Sequence, residues 1–163
     1  MGIDPGSNCT GFGIVEEIKG DLHAVHWSSV RSTSKHTFPD RLKRIYDELV
    51  LAIEKFQPDV VVVEDLLYAT NVKTVIKLAQ TRCVILLAAI NCGIELAEYS
   101  PLEIKQSVVG YGRADKNQVR DMVTVLLKLK EKPEPFDASD ALAVAICHIH
   151  NAGLQQKIKL AQR

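Results

Sequence analysis

The chain has 163 residues, which by length is one domain, large enough to bury a core without staples. It is 47% hydrophobic and 25% charged, a balance that excludes a disordered chain. Its 20 basic and 20 acidic residues cancel, which argues against a simple basic coat for nucleic acid.

Residues 1–4 read as the end of a strand, and Gly6-Ser7-Asn8 as a turn. Thr10 to Glu16 and Leu22 to Arg31 read as two further strands, so the chain is expected to open as an antiparallel meander. A helix follows Phe38-Pro39, because Leu42, Ile45, Leu49, Ile53 and Phe56 recur at the spacing of one buried stripe. Gln57-Pro58 ends it. The run Val60-Val61-Val62-Val63 between Asp59 and Glu64 predicts a strand covered on both faces.

Thr70 or Asn71 can cap a long helix that runs to about Asn91 and stops at Gly93. That helix is apolar over most of its girth, so it needs cover on two sides, and a second subunit can supply one of them. A short strand is expected over Ile94 to Tyr99. Ser100-Pro101-Leu102-Glu103 is a capping box with proline at the first helical position. Asp115 and Gln118 repeat that logic for a helix with Val119, Met122, Val123, Leu126 and Leu127 inward. Pro133 and Pro135 set off a last helix beginning at Asp137. The order, strands first and then helix alternating with strand, predicts an α/β fold with a mixed sheet and helices on its faces, in a single domain over 1–163.

Charge is segregated along the chain. Between Leu66 and Ile94 stand Lys73, Lys77 and Arg82 without one acid, and Lys157, Lys159 and Arg163 follow Asn151 in the same way. Such a distribution suits an anionic ligand as well as a solvated helix face. The four cysteines, Cys9, Cys83, Cys92 and Cys147, form no Cys-x-x-Cys pair, so neither a zinc site nor a disulfide framework is signalled. No apolar stretch is read as long and charge-free enough to span a membrane, and the N-terminus lacks a signal-peptide layout; the expectation is a cytoplasmic protein without a membrane partner.

The most telling residues are four acids at element ends. Asp4 closes an apolar run, Glu64 follows four valines, and Asp137 and Asp140 open the last helix, three apart and so on one face. Each has a plain alternative: Asp4 as a turn acid, Glu64 as a strand-end residue, Asp137 as an N-cap and Asp140 as a complement to the helix dipole. Gathered together, they would repel one another at neutral pH unless divalent cations neutralise them. That points to metal-dependent phosphate chemistry. Hard oxygen ligands with no His or Cys nearby favour Mg²⁺. Cys147-His148-x-His150 does not converge on one point of a helix, and His23 and His26 are expected on opposite faces of a strand, so neither group is read as a metal site.

These residues resemble the RuvC family of Holliday junction resolvases nearly end to end. The resemblance is carried by Gly2-Ile3-Asp4-Pro5-Gly6 with Thr10-Gly11-x-Gly13, by Arg41-Leu42 and Gln57-Pro58-Asp59, and by Glu64. It continues through Lys77-Leu78-x-Gln80-x-Arg82, Val108-Val109-Gly110-x-Gly112, Lys116-x-Gln118-Val119-x-x-Met122-Val123 and Asp137-x-x-Asp140-Ala141-Leu142-Ala143.

The resemblance implies a ribonuclease-H-like fold, a mixed five-stranded sheet with helices on both faces. It implies Mg²⁺-dependent nicking of two opposed strands of a four-way DNA junction, with Mn²⁺ able to substitute and two ions per site, in recombination and repair. Asp4, Glu64, Asp137 and Asp140 match the family's metal-binding catalytic acids. Lys105 and Lys116 match its basic residues near the cut phosphate, with Lys116 counted among the catalytic groups. The helix from about 71 to 91 matches its homodimer helix, and a branch-migration complex of the RuvA and RuvB type is implied as partner. Lys73, Lys77 and Arg82 are expected to contact DNA. Many relatives carry phenylalanine where this chain has Leu67, beside Tyr68; either residue could enter the junction, as an apolar wedge or a stacking face. Competing readings are a related nuclease acting on RNA, a fragment of an actin-like ATPase or sugar kinase, and a junction-binding module that does not cut.

Overall fold

A computed structural model describes residues 1–33, 35–65 and 71–161, with side chains through Gly153. The chain opens with β1 (Gly2–Asp4), β2 (Cys9–Ile18) and β3 (Asp21–Arg31), then α1 (Phe38–Phe56) and β4 (Val60–Glu64). It continues with α2 (Val72–Asn91), β5 (Glu95–Tyr99), α3 (Pro101–Val109), α4 (Lys116–Leu126) and α5 (Phe136–Ala161). The strands form one five-stranded sheet in the order β3-β2-β1-β4-β5. β1, β2 and β3 pair antiparallel, as the expected meander, and β4 joins β1 and β5 in parallel.

Helices cover both faces. On one, Ile45, Leu49 and Ile53 of α1 and Ile85 and Ala88 of α2 meet Ile3, Phe12, Val61 and Val63. On the other, Ile104, Val119, Val123, Leu142 and Ile146 of the last three helices meet Val62. The valine run therefore alternates between two cores, which is why it is apolar at every position.

Local signals set the helix starts. Thr37 and Asp40 form a capping box ahead of α1, Asn71 caps α2 through the amides of Lys73 and Thr74, and Ser100 with Glu103 caps α3. α2 departs from the sequence expectation in one respect: with 20 residues and a mean hydropathy of 1.4, it is long and apolar enough by length and composition to cross a membrane. Here it is a layer of the fold, with Thr81, Ile85, Ala88 and Ala89 buried toward α1 and β5. Its other side exposes Val72, Ile76, Leu87 and Ile90, each 50–69% accessible.

β3 carries a bulge. His26 pairs with Ile14 but Ala24 pairs with Val15, so Val25 is the extra residue. The bulge cancels the odd spacing and puts His23 on the face of His26, not the opposite one. His26 nevertheless stacks on Phe56 at 4.8 Å and tilts against Phe12 at 5.8 Å, an apolar setting that lowers its pKa.

Candidate active site

Ile3 pairs with Val63 in the parallel ladder, so Asp4 and Glu64 emerge side by side at the carboxyl ends of β1 and β4. α5 lies close over β1 and β2 because Gly2, Gly11 and Gly13 offer it no side chains. A Cβ on Gly11 would stand 1.8 Å from the carbonyl oxygen of Asp137, and one on Gly2 would stand 2.2 Å from that of Ala141. The glycines of the first motif are thus the seat of the last helix.

α5 starts one residue before Asp137, so this aspartate lies in the first turn and is not the N-cap. The amides of Ala138 and Ser139 bond the carbonyl of Pro135 instead. Asp140, one turn further on, faces a cleft of about 210 Å³. Asp4, Glu64, Asp140, Lys105 and Lys116 line that cleft, with Pro101, Ile104, Val119, Ala143 and Val144 as its apolar wall. Asp137 is not among the lining residues; its carboxyl lies against the thiol of Cys9 and within electrostatic reach of Lys116. A larger cavity, about 320 Å³, sits at the other end of the sheet beside Met1, Phe56 and Val60, away from the acid cluster.

The electrostatics of the cleft follow from crowding. Burial, the charges of Glu64 and Asp140, and a hydrogen bond to Glu64 push the Asp4 carboxyl up to about 9. Burial also raises Glu64, while its hydrogen bond with Asp4 and the nearby Lys116 and Lys105 act the other way. The two carboxyls therefore titrate as a coupled pair, both held above the ordinary carboxylate range. Lys116 donates to Oδ2 of Asp140 over 2.9 Å, and this bond raises its pKa, keeping it an ammonium.

Among the described residues, no three acid, His or Cys side chains stand close enough to grip a cation as they are placed here. The donor set nevertheless fits one. It is hard oxygen throughout, and Asp4 holds a proton that a divalent cation would displace, adding a carboxylate to those of Glu64 and Asp140.

The expected DNA contacts divide. Lys73 and Lys77 are exposed on α2, and the Lys77 ammonium lies 5.7 Å from the centre of the Phe38 ring. Arg82 sits differently: its side chain, 15% exposed, pairs with Glu98 at 2.7 Å and Asp65 at 3.4 Å, so it ties α2 to the ends of β4 and β5. An i+5 step along one helix hid this, because the acids that claim Arg82 are distant in sequence. Leu67 and Tyr68 lie outside the described residues. The histidines of the last helix turn to separate partners, His148 to Tyr99 and His150 to Ser107, as their spacing predicts. Cys9 was not singled out by sequence; only its pairing register next to the α5 seat reveals it.

A mixed sheet with acids at the ends of its central parallel strands and on a crossing helix defines a ribonuclease-H-like nuclease. The family model described as crossover junction endodeoxyribonuclease RuvC matches residues 1–148. A relative so named from Syntrophomonas wolfei is 47% identical over 151 residues, 93% of this chain and 88% of its own length. One from Koribacter versatilis is 46% identical over 93% of this chain and 92% of its own. The structure of Thermus thermophilus RuvC in complex with a Holliday junction substrate superposes with a TM-score of 0.88 at 30% identity, covering 94% of each chain. The chain belongs to the RuvC family of crossover junction endodeoxyribonucleases.

Proposed function

We propose that Asp4, Glu64, Asp137 and Asp140 hold the divalent cations of this nuclease, and that Lys105 and Lys116 engage the phosphate being cut. The activity is that of the family: a structure-selective endonuclease that resolves four-way DNA junctions by paired symmetric nicks, in homologous recombination and repair. The observation that carries the site assignment is the convergence of Asp4, Glu64 and Asp140 with two lysines in one cleft.

Bound there, divalent cations supply an activated water and stabilise the leaving oxygen. Mg²⁺, two per site, suits the hard carboxylate set, and Mn²⁺ can replace it. The chain's own groups do the rest. Asp4 and Glu64, fixed by the β1–β4 register, present their oxygens from the floor of the cleft. Asp140 enters from α5, and Asp137 stands one turn earlier to close the set from the Cys9 side. The Lys116 ammonium holds its proton and its place on Asp140 until a phosphate oxygen competes for it. Lys105 brings a second positive charge from α3. Ile104, Val119 and Val144 exclude water on one side, which strengthens every charge interaction within.

Substrate binding extends to Lys73 and Lys77 at the start of α2, and to Leu67 and Tyr68, one of which enters the junction. The exposed stripe of Val72, Ile76, Leu87 and Ile90 supports a homodimer through the helix at about 71–91, giving two sites for two strands. The chain, 1–163, is one nuclease domain acting in the cytoplasm, and a branch-migration complex of the RuvA and RuvB type delivers its substrate.

The test is incubation of a mobile four-way junction with the protein and Mg²⁺. Paired symmetric nicks that stop on chelation, with linear duplex left whole, are expected. Equal cutting of structured RNA, or binding without any cutting in Mg²⁺, would contradict the assignment.

A further inference from the structure

We infer that Tyr111 is a stacking platform for a nucleotide next to the cut phosphate. The inference rests on the acidic cleft being where the strand is cut. Tyr111 lies in the turn between α3 and α4, the two helices that supply Lys105 and Lys116 to that cleft. The residue is 45% exposed, unusual for a large aromatic in a chain with few of them. Yet the ring is not loose. Its hydroxyl donates to Oε1 of Gln118 over 2.8 Å, and the same oxygen accepts the amide of Asp115 over 2.9 Å.

That shared oxygen matters because Asp115 and Gln118 form the capping box of α4, and Lys116 is the first residue of that helix. The aromatic ring is therefore anchored to the same helical turn that projects Lys116 onto Asp140, within about 5 Å along the helix axis. With the hydroxyl already committed, what Tyr111 offers outward is its π-face. Arg113, exposed two residues on, adds positive charge to the same turn. A fixed, exposed ring next to basic groups is the arrangement by which proteins hold single nucleic-acid strands. Every base has a π-face, so Tyr111 sets how firmly the strand is held and not which sequence is cut.

The test uses the wild-type protein with Ca²⁺ in place of Mg²⁺ and a four-way junction carrying 5-iododeoxyuridine at positions flanking the cut. Irradiation is expected to give an adduct that peptide mass spectrometry maps to Tyr111. Alongside, Tyr111→Leu is expected to weaken junction binding about tenfold, alike for every cleavage sequence, while Tyr111→Phe stays within about twofold. Thermal melting reports whether Tyr111→Leu disturbs the α4 cap; the adduct on the wild-type protein is read independently of it. Nicking of the same junction in Mg²⁺ without an adduct on Tyr111 overturns the inference alone. Absence of nicking overturns the cleft assignment and the inference with it.

Discussion

Lys116 reaches across the cleft to Asp140, Nζ to Oδ2, over 2.9 Å. The two residues are 24 apart in sequence, and the bond joins the start of α4 to the helix that covers the active strands. It fixes a positive charge inside a group of acids that would otherwise repel one another. Lys116 is 68% exposed against 17% for Asp140, so the bond's own contribution to stability is small and its value lies in placement. Lys116→Ala is expected to lower the rate of junction cutting by about 10²-fold or more, with Tm nearly unchanged, as for loss of a positioned proton-transfer or charge-stabilising group. Single-turnover cleavage with melting curves checks it.

Asp4 links the site to stability. Its carboxyl is raised in the folded state from an ordinary 3.8 to about 9. The metal-free protein thus bears no cost from this group below about pH 4, and a growing cost as pH rises toward 9, where the unfolded chain has long since lost the proton. Asp4→Asn is expected to raise Tm in chelator at pH 8, to narrow the loss of stability between pH 5 and pH 9, and to abolish cutting. Added Mg²⁺ is expected to stabilise the wild type more than the variant. Calorimetry in chelator and in Mg²⁺ measures both.

Gly11 tests the seat of α5. A methyl group there would overlap the Asp137 carbonyl, a backbone atom that cannot step aside without moving the helix. Gly11→Ala is expected to cost at least about 3 kcal/mol and to lower Tm by about 6–12 °C. The displaced helix carries Asp137 and Asp140 with it, so cutting should fall further than the fraction of folded protein does. Urea denaturation beside a cleavage assay separates the two losses.

Much of this arrangement could be read from the chain. The valine run, the capping boxes at Ser100 and Asp115, and the stripe from Leu42 to Phe56 are local patterns, and local physics makes them strands and helices. The motif residues around Asp4 and Asp137 disclosed the acids because spacing and residue type were enough. What spacing could not disclose was competition between distant residues. Arg82 had the look of a free cation until Glu98 and Asp65 met it in space. Asp137 had the look of an N-cap until Pro135 took that role and left its carboxyl beside Cys9. The bulge at Val25, one residue in a regular strand, was enough to bring His23 to the face of His26.

Arg82→Ala tests whether that cation is structural. It is expected to lower Tm by a few degrees, since it removes the 2.7 Å ion pair that ties α2 to Glu98 of β5, and to leave the slope of junction affinity against salt unchanged. Lys73→Ala and Lys77→Ala are expected to do the reverse, each reducing the salt slope by about one while leaving Tm alone. Binding isotherms across a salt series distinguish them.

The outer stripe of α2 is the surface through which the proposed dimer would form. Leu87, half exposed in a single chain, stands midway between Cys83 and Ile90 on that surface. Leu87→Glu is expected to convert a species of twice the 18.1 kDa chain mass into a monomer, and to replace paired nicks by slow single ones. Sedimentation equilibrium and nicking of a supercoiled cruciform report the two effects.

The most direct measurement compares binding with cutting in the four acid-to-amide variants, Asp4→Asn, Glu64→Gln, Asp137→Asn and Asp140→Asn, on one junction in Mg²⁺. If these acids form the metal site, each variant binds the junction at least as tightly as the wild type and none cuts it. A variant that folds, binds and still makes paired nicks at the wild-type rate would remove its residue from the site, and cutting by all four would contradict the metal-site assignment altogether.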